Sequence, residues 1–255
     1  MTDLSFGAEP LAGLIFAMTR VGGFLVASPY INQRLPTAGR LAVTFGVSIF
    51  LVTPVSPEAL ELAPMVTAII LNLASGLILG LLTSILFSSF ATAGAMVDMS
   101  SGLAVSAVFD PSMGAQTTIF QRFFDLTALV LFLVMGGHRL LLMGLMTSVE
   151  VIGLDGTFSL DEGLGDLAVD IMASYTLASL EIAVPILAAL LLAELALGVA
   201  SRLLPQANVF LLGLPLKILV VLAVVTVSVN SFPSIMDWLM DAMEDTFEQV
   251  LVGLR

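Results

Sequence analysis

Six apolar runs separated by short polar connectors dominate this sequence, at residues 11–27, 41–55, 65–97, 126–149, 171–200 and 209–235. The third continues for 33 residues without a charged side chain. As a helix rising about 1.5 Å per residue it would reach ~50 Å, well past the roughly 30 Å of bilayer hydrocarbon. The first two runs fall short of the roughly 20 residues a crossing needs. Lengths this unequal do not describe a set of uniform spans. They predict an all-α chain of about six long helices in helical hairpins, packed on protein for part of their course, tilted or bent.

Composition decides where such helices can live. Hydrophobic residues make up 58% of the 255 and charged residues 11%, against about 25% charged in an average soluble domain. A soluble domain of this length has too little interior to hide that much apolar surface. Most of it must face lipid, other chains, or both. The net charge of −12 excludes nucleic acid as a partner, because phosphate backbones need clustered Lys and Arg. The chain has no Cys, which removes disulfides, thiolate chemistry and Cys-based zinc sites. Residues 1–9 hold Asp3 and Glu9 and no base, unlike the positive start of a signal peptide. The first run, which contains Arg20, therefore reads as a retained helix.

Pro and Gly punctuate the connectors, where they end helices or set turns. Residues 28–40 carry Pro29, Arg34, Pro36 and Arg40, and 201–208 carry Arg202 and Pro205. Residues 150–170 hold six acids and no base. Cytoplasmic connectors are the ones enriched in Lys and Arg. The two positive connectors are therefore expected on the cytoplasmic side and both termini outside it.

Gly76, Gly80, Ser84, Ser88 and Thr92 recur every four residues in the third run. Residues at i and i+4 lie near one another on a helix, and Gly76-xxx-Gly80 is a spacing that lets two helix backbones meet. The stripe is either an ordinary helix–helix contact within the chain or a seam between subunits. Ionisable residues also interrupt the runs or sit at their edges: Arg20, Asp98, Arg122, Asp125, His138, Arg139, Glu181, Glu194 and Lys217. A charge facing lipid is costly, so each is expected against protein, water or the interface. Arg122 and Asp125 have the i, i+3 spacing of a helical pair. The tail carries Ile235, Met236, Leu239, Met240, Met243, Phe247, Val250, Leu251 and Leu254 at helical spacing. Asp237, Asp241, Glu244, Asp245 and Glu248 load its other face. Membrane-surface helices normally carry bases there, so this tail is expected to pack on protein.

Catalytic chemistry finds little material. One His and no Cys leave the usual nucleophile–base pairs without members. HExxH, GxSxG, GxGxxG and P-loop strings do not occur. Gly163-Leu164-Gly165-Asp166 spells the GxGD string of intramembrane aspartyl proteases, but no Tyr-Asp partner lies in another apolar run, and that chemistry needs two carboxylates. The chain reads as non-enzymatic, with no cofactor or metal site. An ion-coupled transporter or channel would instead place Asp98, Glu181 or Glu194 on a water-lined path. Such a protein should show two related halves with broken helices, and no internal repeat is visible.

Three blocks resemble the FliR/SctT family, the single-copy subunit of the type III secretion export gate. The first runs from Thr92-Ala93-Gly94 through Asp98 and Gly102 to Phe109-Asp110-Pro111. The second is Arg122-Phe123-Phe124-Asp125 running to Gly136-Gly137-His138. The third is Arg202-Leu203-Leu204-Pro205-Gln206-Ala207-Asn208-Val209-Phe210 followed by Leu212-Gly213-Leu214-Pro215-Leu216-Lys217-Ile218. Arg20, Pro29, Pro36 and Arg40 also fit. The chain departs from the family pattern at Asn72, where Glu or Gln is common, and at Ile152-Gly153, where a proline is usual. The Asn-Val-Phe and Pro-Leu-Lys-Ile forms look more flagellar than injectisome.

The resemblance implies an integral membrane export-gate subunit at the bacterial inner membrane, in the flagellar basal body. It implies FliP-like and FliQ-like sister subunits, an FlhB-like switch protein, membrane lipid, and unfolded export substrates passing through the gate. Residues 1–165 would be the FliP-like part, with a plug loop at 98–115. Residues 166–255 would be the FliQ-like helix pair and amphipathic tail. Val108, Phe109, Asp110, Pro111 and Met113 would seal the closed pore. Gly76, Gly80, Ser84, Ser88 and Thr92 would form the packing seam. Arg202, Pro205, Gln206, Asn208 and Lys217 would form the cytoplasmic turn.

Overall fold

A computed structural model describes residues 8–28, 35–53, 55–56, 61–104, 118–155, 164–203 and 209–254. Eight α-helices occupy them, with no strand among the described residues. They are α1 (Ala8–Ala27), α2 (Thr37–Leu51), α3 (Leu62–Ser101), α4 (Ile119–Val134), α5 (Gly137–Ile152), α6 (Leu164–Leu203), α7 (Val209–Ser228) and α8 (Phe232–Gly253). The all-α expectation holds, and the helix lengths are as unequal as the runs. Two runs are not single helices. The fourth breaks between α4 and α5 at Gly136, whose φ of +86° is left-handed and open to glycine without steric cost. The sixth breaks at a short 3-10 turn, Val229–Ser231. Helix α8 restarts beyond it with Pro233 near its first turn, where a missing N–H costs no helical bond.

Among the described residues, four stretches are long and apolar enough to cross a bilayer: Glu9–Ala27, Leu62–Ser101, Gly165–Leu203 and Gly213–Gly253. The broken pair α4 and α5 makes a fifth if taken as one span, and α2 is too short.

Two compact units share the chain. The first is Met1–Ile85, Gly136–Ile171 and Met240–Arg255. In its core α1 and α3 approach closely, with Gly23 against Leu73 and Gly80 against Ala27, and Phe16, Val21, Phe24 and Leu79 are buried. Gly144 of α5 leaves room for the Phe247 ring, since a Cβ there would stand 2.5 Å from ring carbon Cδ2. The second unit is Leu86–Met135 and Met172–Leu239. It is knit by edge-to-face aromatic pairs, Phe87–Phe132 at 5.0 Å, Phe90–Phe232 at 5.6 Å and Phe124–Phe232 at 5.1 Å between ring centres. This geometry sets positive ring edges against negative faces. Each unit interleaves segments from both sides of residue 165.

Candidate functional site

Two buried polar ties fix helix ends. In the first unit the Arg20 side chain, fully buried on α1, reaches the C-terminal end of α5. Its Nη1 donates to the Ser148 carbonyl at 2.7 Å and Ser148 Oγ at 3.3 Å, and its Nη2 donates to the Gly153 carbonyl at 2.5 Å. Its Nε donates to Asn72 Oδ1 on α3 at 2.9 Å. The Asn72 Nδ2 then donates to the Ala68 and Leu154 carbonyls at 2.8 and 2.9 Å. A helix C-terminus carries orphan carbonyls and the negative end of the dipole, so a guanidinium fork is matched to it in shape and sign. The left-handed Gly153, φ +72°, turns the chain so that its carbonyl joins the group.

In the second unit the buried Asp98 carboxylate, near the end of α3, caps the start of α4. Its Oδ1 accepts the Phe120 N–H at 3.1 Å and its Oδ2 the Gln121 N–H at 2.8 Å. An anion at a helix N-terminus meets unsatisfied N–H groups and the positive end of the dipole. The Asp98 carbonyl accepts the Ala104 N–H at 3.2 Å and the Ser101 hydroxyl at 3.1 Å. One residue thus ties 101–104 to 120–121, the two ends flanking residues 105–117. Close backbone approach makes this possible: a Cβ on Gly94 would sit 2.6 Å from Gln121 Cα.

The small-residue stripe divides along its length. Gly76 and Gly80 are buried against α1, where added Cβ atoms would meet the Phe24 nitrogen at 2.9 Å and Ala27 Cβ at 2.8 Å. Ser84 is half-buried, and Ser88 and Thr92 are exposed. Each four-residue step overshoots a full turn by about 40°, which sets Gly76 and Thr92 roughly 160° apart around the helix. The i, i+4 argument holds for adjacent members and fails over five. Gly13 and Gly23 make the same kind of close approach and fall outside the stripe; a Cβ would stand 2.6 Å from the Thr53 carbonyl and 2.7 Å from the Leu73 carbonyl.

The pore-sealing candidates Val108, Phe109, Asp110, Pro111 and Met113 lie outside the described residues, as do Pro205, Gln206 and Asn208. Arg202 is exposed in the last turn of α6. Lys217 lies within α7 and pairs with Glu194 of α6. Arg122 and Asp125 stand 3.9 Å apart on α4. Two of the three carboxylates that an ion path would use are therefore engaged, Asp98 as a cap and Glu194 as an ion-pair partner. Among the described residues no group of His, Cys, Asp or Glu gathers to hold a metal. An apolar groove of about 340 Å³, lined by Val43, Val47, Phe50, Leu142 and Met146 among others, offers no polar group to orient a substrate.

The family described as bacterial export proteins, family 1, matches residues 11–243. A flagellar biosynthetic protein FliR of Bacillus subtilis (strain 168) is 30% identical over 211 residues, 81% of this chain and 82% of that protein. A flagellar biosynthetic protein FliR of Aquifex aeolicus (strain VF5) is 28% identical over 224 residues, 86% of each chain. The surface presentation of antigens protein SpaR of Shigella flexneri is 32% identical over 152 residues, 59% of this chain and 57% of that protein.

Proposed function

Because the chain belongs to the bacterial export proteins, family 1, we propose that it is a non-enzymatic subunit of a type III secretion export gate, of the flagellar FliR kind. The observation carrying this reading is the extent of the match, which runs through residues 11–243 and engages FliR relatives over more than four-fifths of both chains. The gate passes unfolded flagellar proteins across the inner membrane at the basal body. This chain nucleates its assembly with FliP-like and FliQ-like sisters, and an FlhB-like switch protein packs outside.

Residues 1–165 act as the FliP-like part and 166–255 as the FliQ-like part. Val108, Phe109 and Met113, beside Asp110-Pro111, seal the closed pore, since apolar side chains exclude water and ions from a constriction. The Asp98 tie supports this role, because it anchors both flanks of the segment through Ala104 and the start of α4. The exposed end of the stripe, Ser88 and Thr92, serves as subunit seam, while Gly76 and Gly80 serve packing within the chain. Arg202, Pro205, Gln206 and Asn208 form the cytoplasmic turn, with Lys217 just beyond it.

The SpaR match keeps an injectisome homologue as second reading, but it spans only 57% of SpaR against 82% and 86% of the two FliR relatives. Removing the gene from its native cell separates the two. Loss of hook and filament proteins from the medium, restored by the gene in trans, is the expected result. Intact flagellar export with loss of injectisome substrates would move the assignment to the second reading, and loss of neither would contradict both.

A further inference from the structure

Helix α6 is long and apolar enough to cross a bilayer, yet acids punctuate it. Its inner acid-free stretches, 171–180, 182–193 and 195–203, reach at most about 18 Å, against roughly 30 Å of hydrocarbon. Any crossing by this helix carries an acid into apolar surroundings, and through its central part that acid is Glu181 or Glu194. Glu194 has its counter-ion in the chain, Lys217. Glu181 is exposed and has no ion pair or side-chain hydrogen bond among the described residues.

The surroundings of Glu181 are apolar. Leu177 and Val184, one turn away on either side, are 59% and 54% exposed, and Pro185 and Ala188 continue the outward strip. The Glu side chain has a short stem and cannot carry its charge to a distant headgroup as Lys and Arg do. Pro185, inside the helix, has no N–H to give to the Glu181 carbonyl four residues earlier. Glu181 therefore presents an acidic side chain without a partner among the described residues in the middle of an apolar outward face.

We infer that the face of α6 formed by Leu177, Glu181, Val184 and Pro185 is covered by an apolar helix of a sister subunit that carries one Lys or Arg opposite Glu181. The inference rests on the reading that this chain works inside an assembly. Complementarity fixes the occupant's chemistry: apolar side chains for Leu177 and Val184, and a cationic donor for the Glu181 carboxylate. A lipid tail offers no donor, and a buried polar group without one is costly. A desolvated charge left unpaired is costlier still, so the pair selects one partner in one register.

Photocrosslinking side chains at Leu177 and at Val184 leave Glu181 intact. In the purified whole complex they should capture a subunit peptide with a Lys or Arg within about one helical turn of the adduct. Glu181→Lys should cut recovery of that subunit about tenfold or more, Glu181→Gln should cost less, and reversing the partner's base to Glu should restore recovery with Glu181→Lys. Adducts to lipid alone, adducts to a peptide lacking a base, or ready labelling of Glu181→Cys by a water-soluble thiol reagent in the intact complex would overturn the inference. Those results leave the gate reading standing. Failure of the unmodified chain to recover any sister subunit would overturn both.

Discussion

At the scale of single residues, the Arg20 tie accounts for three helices at once. Every described acceptor around the guanidinium is neutral: two carbonyls, a hydroxyl and an amide oxygen. Arg20→Met would leave those acceptors buried and unmatched, at roughly 1–3 kcal/mol each. A net loss of about 3 kcal/mol is expected, read as a lower unfolding temperature of the purified chain or complex in detergent. Arg20→Lys should recover little, because an ammonium lacks the fork that reaches several acceptors in one plane. Unchanged melting of Arg20→Met would show that the contacts contribute nothing net. Arg20 was visible in the sequence as a charge needing company, but its partners, at sequence separations of 52, 128 and 133, were not. Nothing in a linear pattern pairs a cation with carbonyls, which every residue carries.

At the scale of elements, periodicity located the helices, and local backbone geometry decided where they stop. The run at 126–149 is apolar except for His138 and Arg139 and a few hydroxyl residues, so hydropathy alone could not reveal that Gly136 adopts φ +86° and divides it. The tail is the opposite case. Its alternation of apolar and acidic positions predicts an amphipathic helix on protein, and in α8 Met236, Leu239, Met243, Phe247, Val250 and Leu251 are buried and Ile235 and Met240 half-buried, with Leu254 buried just past its end, while Asp237, Asp241, Glu244, Asp245 and Glu248 are exposed. The protein it meets includes this chain itself, with Phe247 seated at Gly144. The Asp98 cap belongs to this scale too. Because it fixes α4 to the end of α3, removing 106–113 should shorten the connection without melting either helix. In cells carrying the whole gate, that deletion is expected to raise ion leakage about tenfold or more by removing the apolar seal. Leakage at the wild-type level would show that these residues do not seal the pore.

At the scale of the whole molecule, composition and run length made the class legible: a chain with 11% charged residues and a net charge of −12 must place its apolar helices among lipid or other proteins. Among the described residues, four stretches long enough to cross a bilayer and many outward apolar side chains, such as Phe50 at 84% and Val134 at 79% exposure, fit a subunit whose surface is finished by neighbours. What composition could not provide is the identity of those neighbours, since apolar surface is unspecific and only isolated groups such as Glu181 carry directional information. A gate subunit, unlike a self-sufficient transporter, depends on its sister chains to complete it. Co-expression with the FliP-like and FliQ-like chains of the same genome, followed by native mass spectrometry of the detergent-purified product, tests this dependence most directly. One assembly holding a single copy of this chain with multiple copies of both sisters is expected, with poor recovery of the chain when expressed alone. A stable lone chain that ignores both sisters and moves a solute across reconstituted vesicles would contradict it.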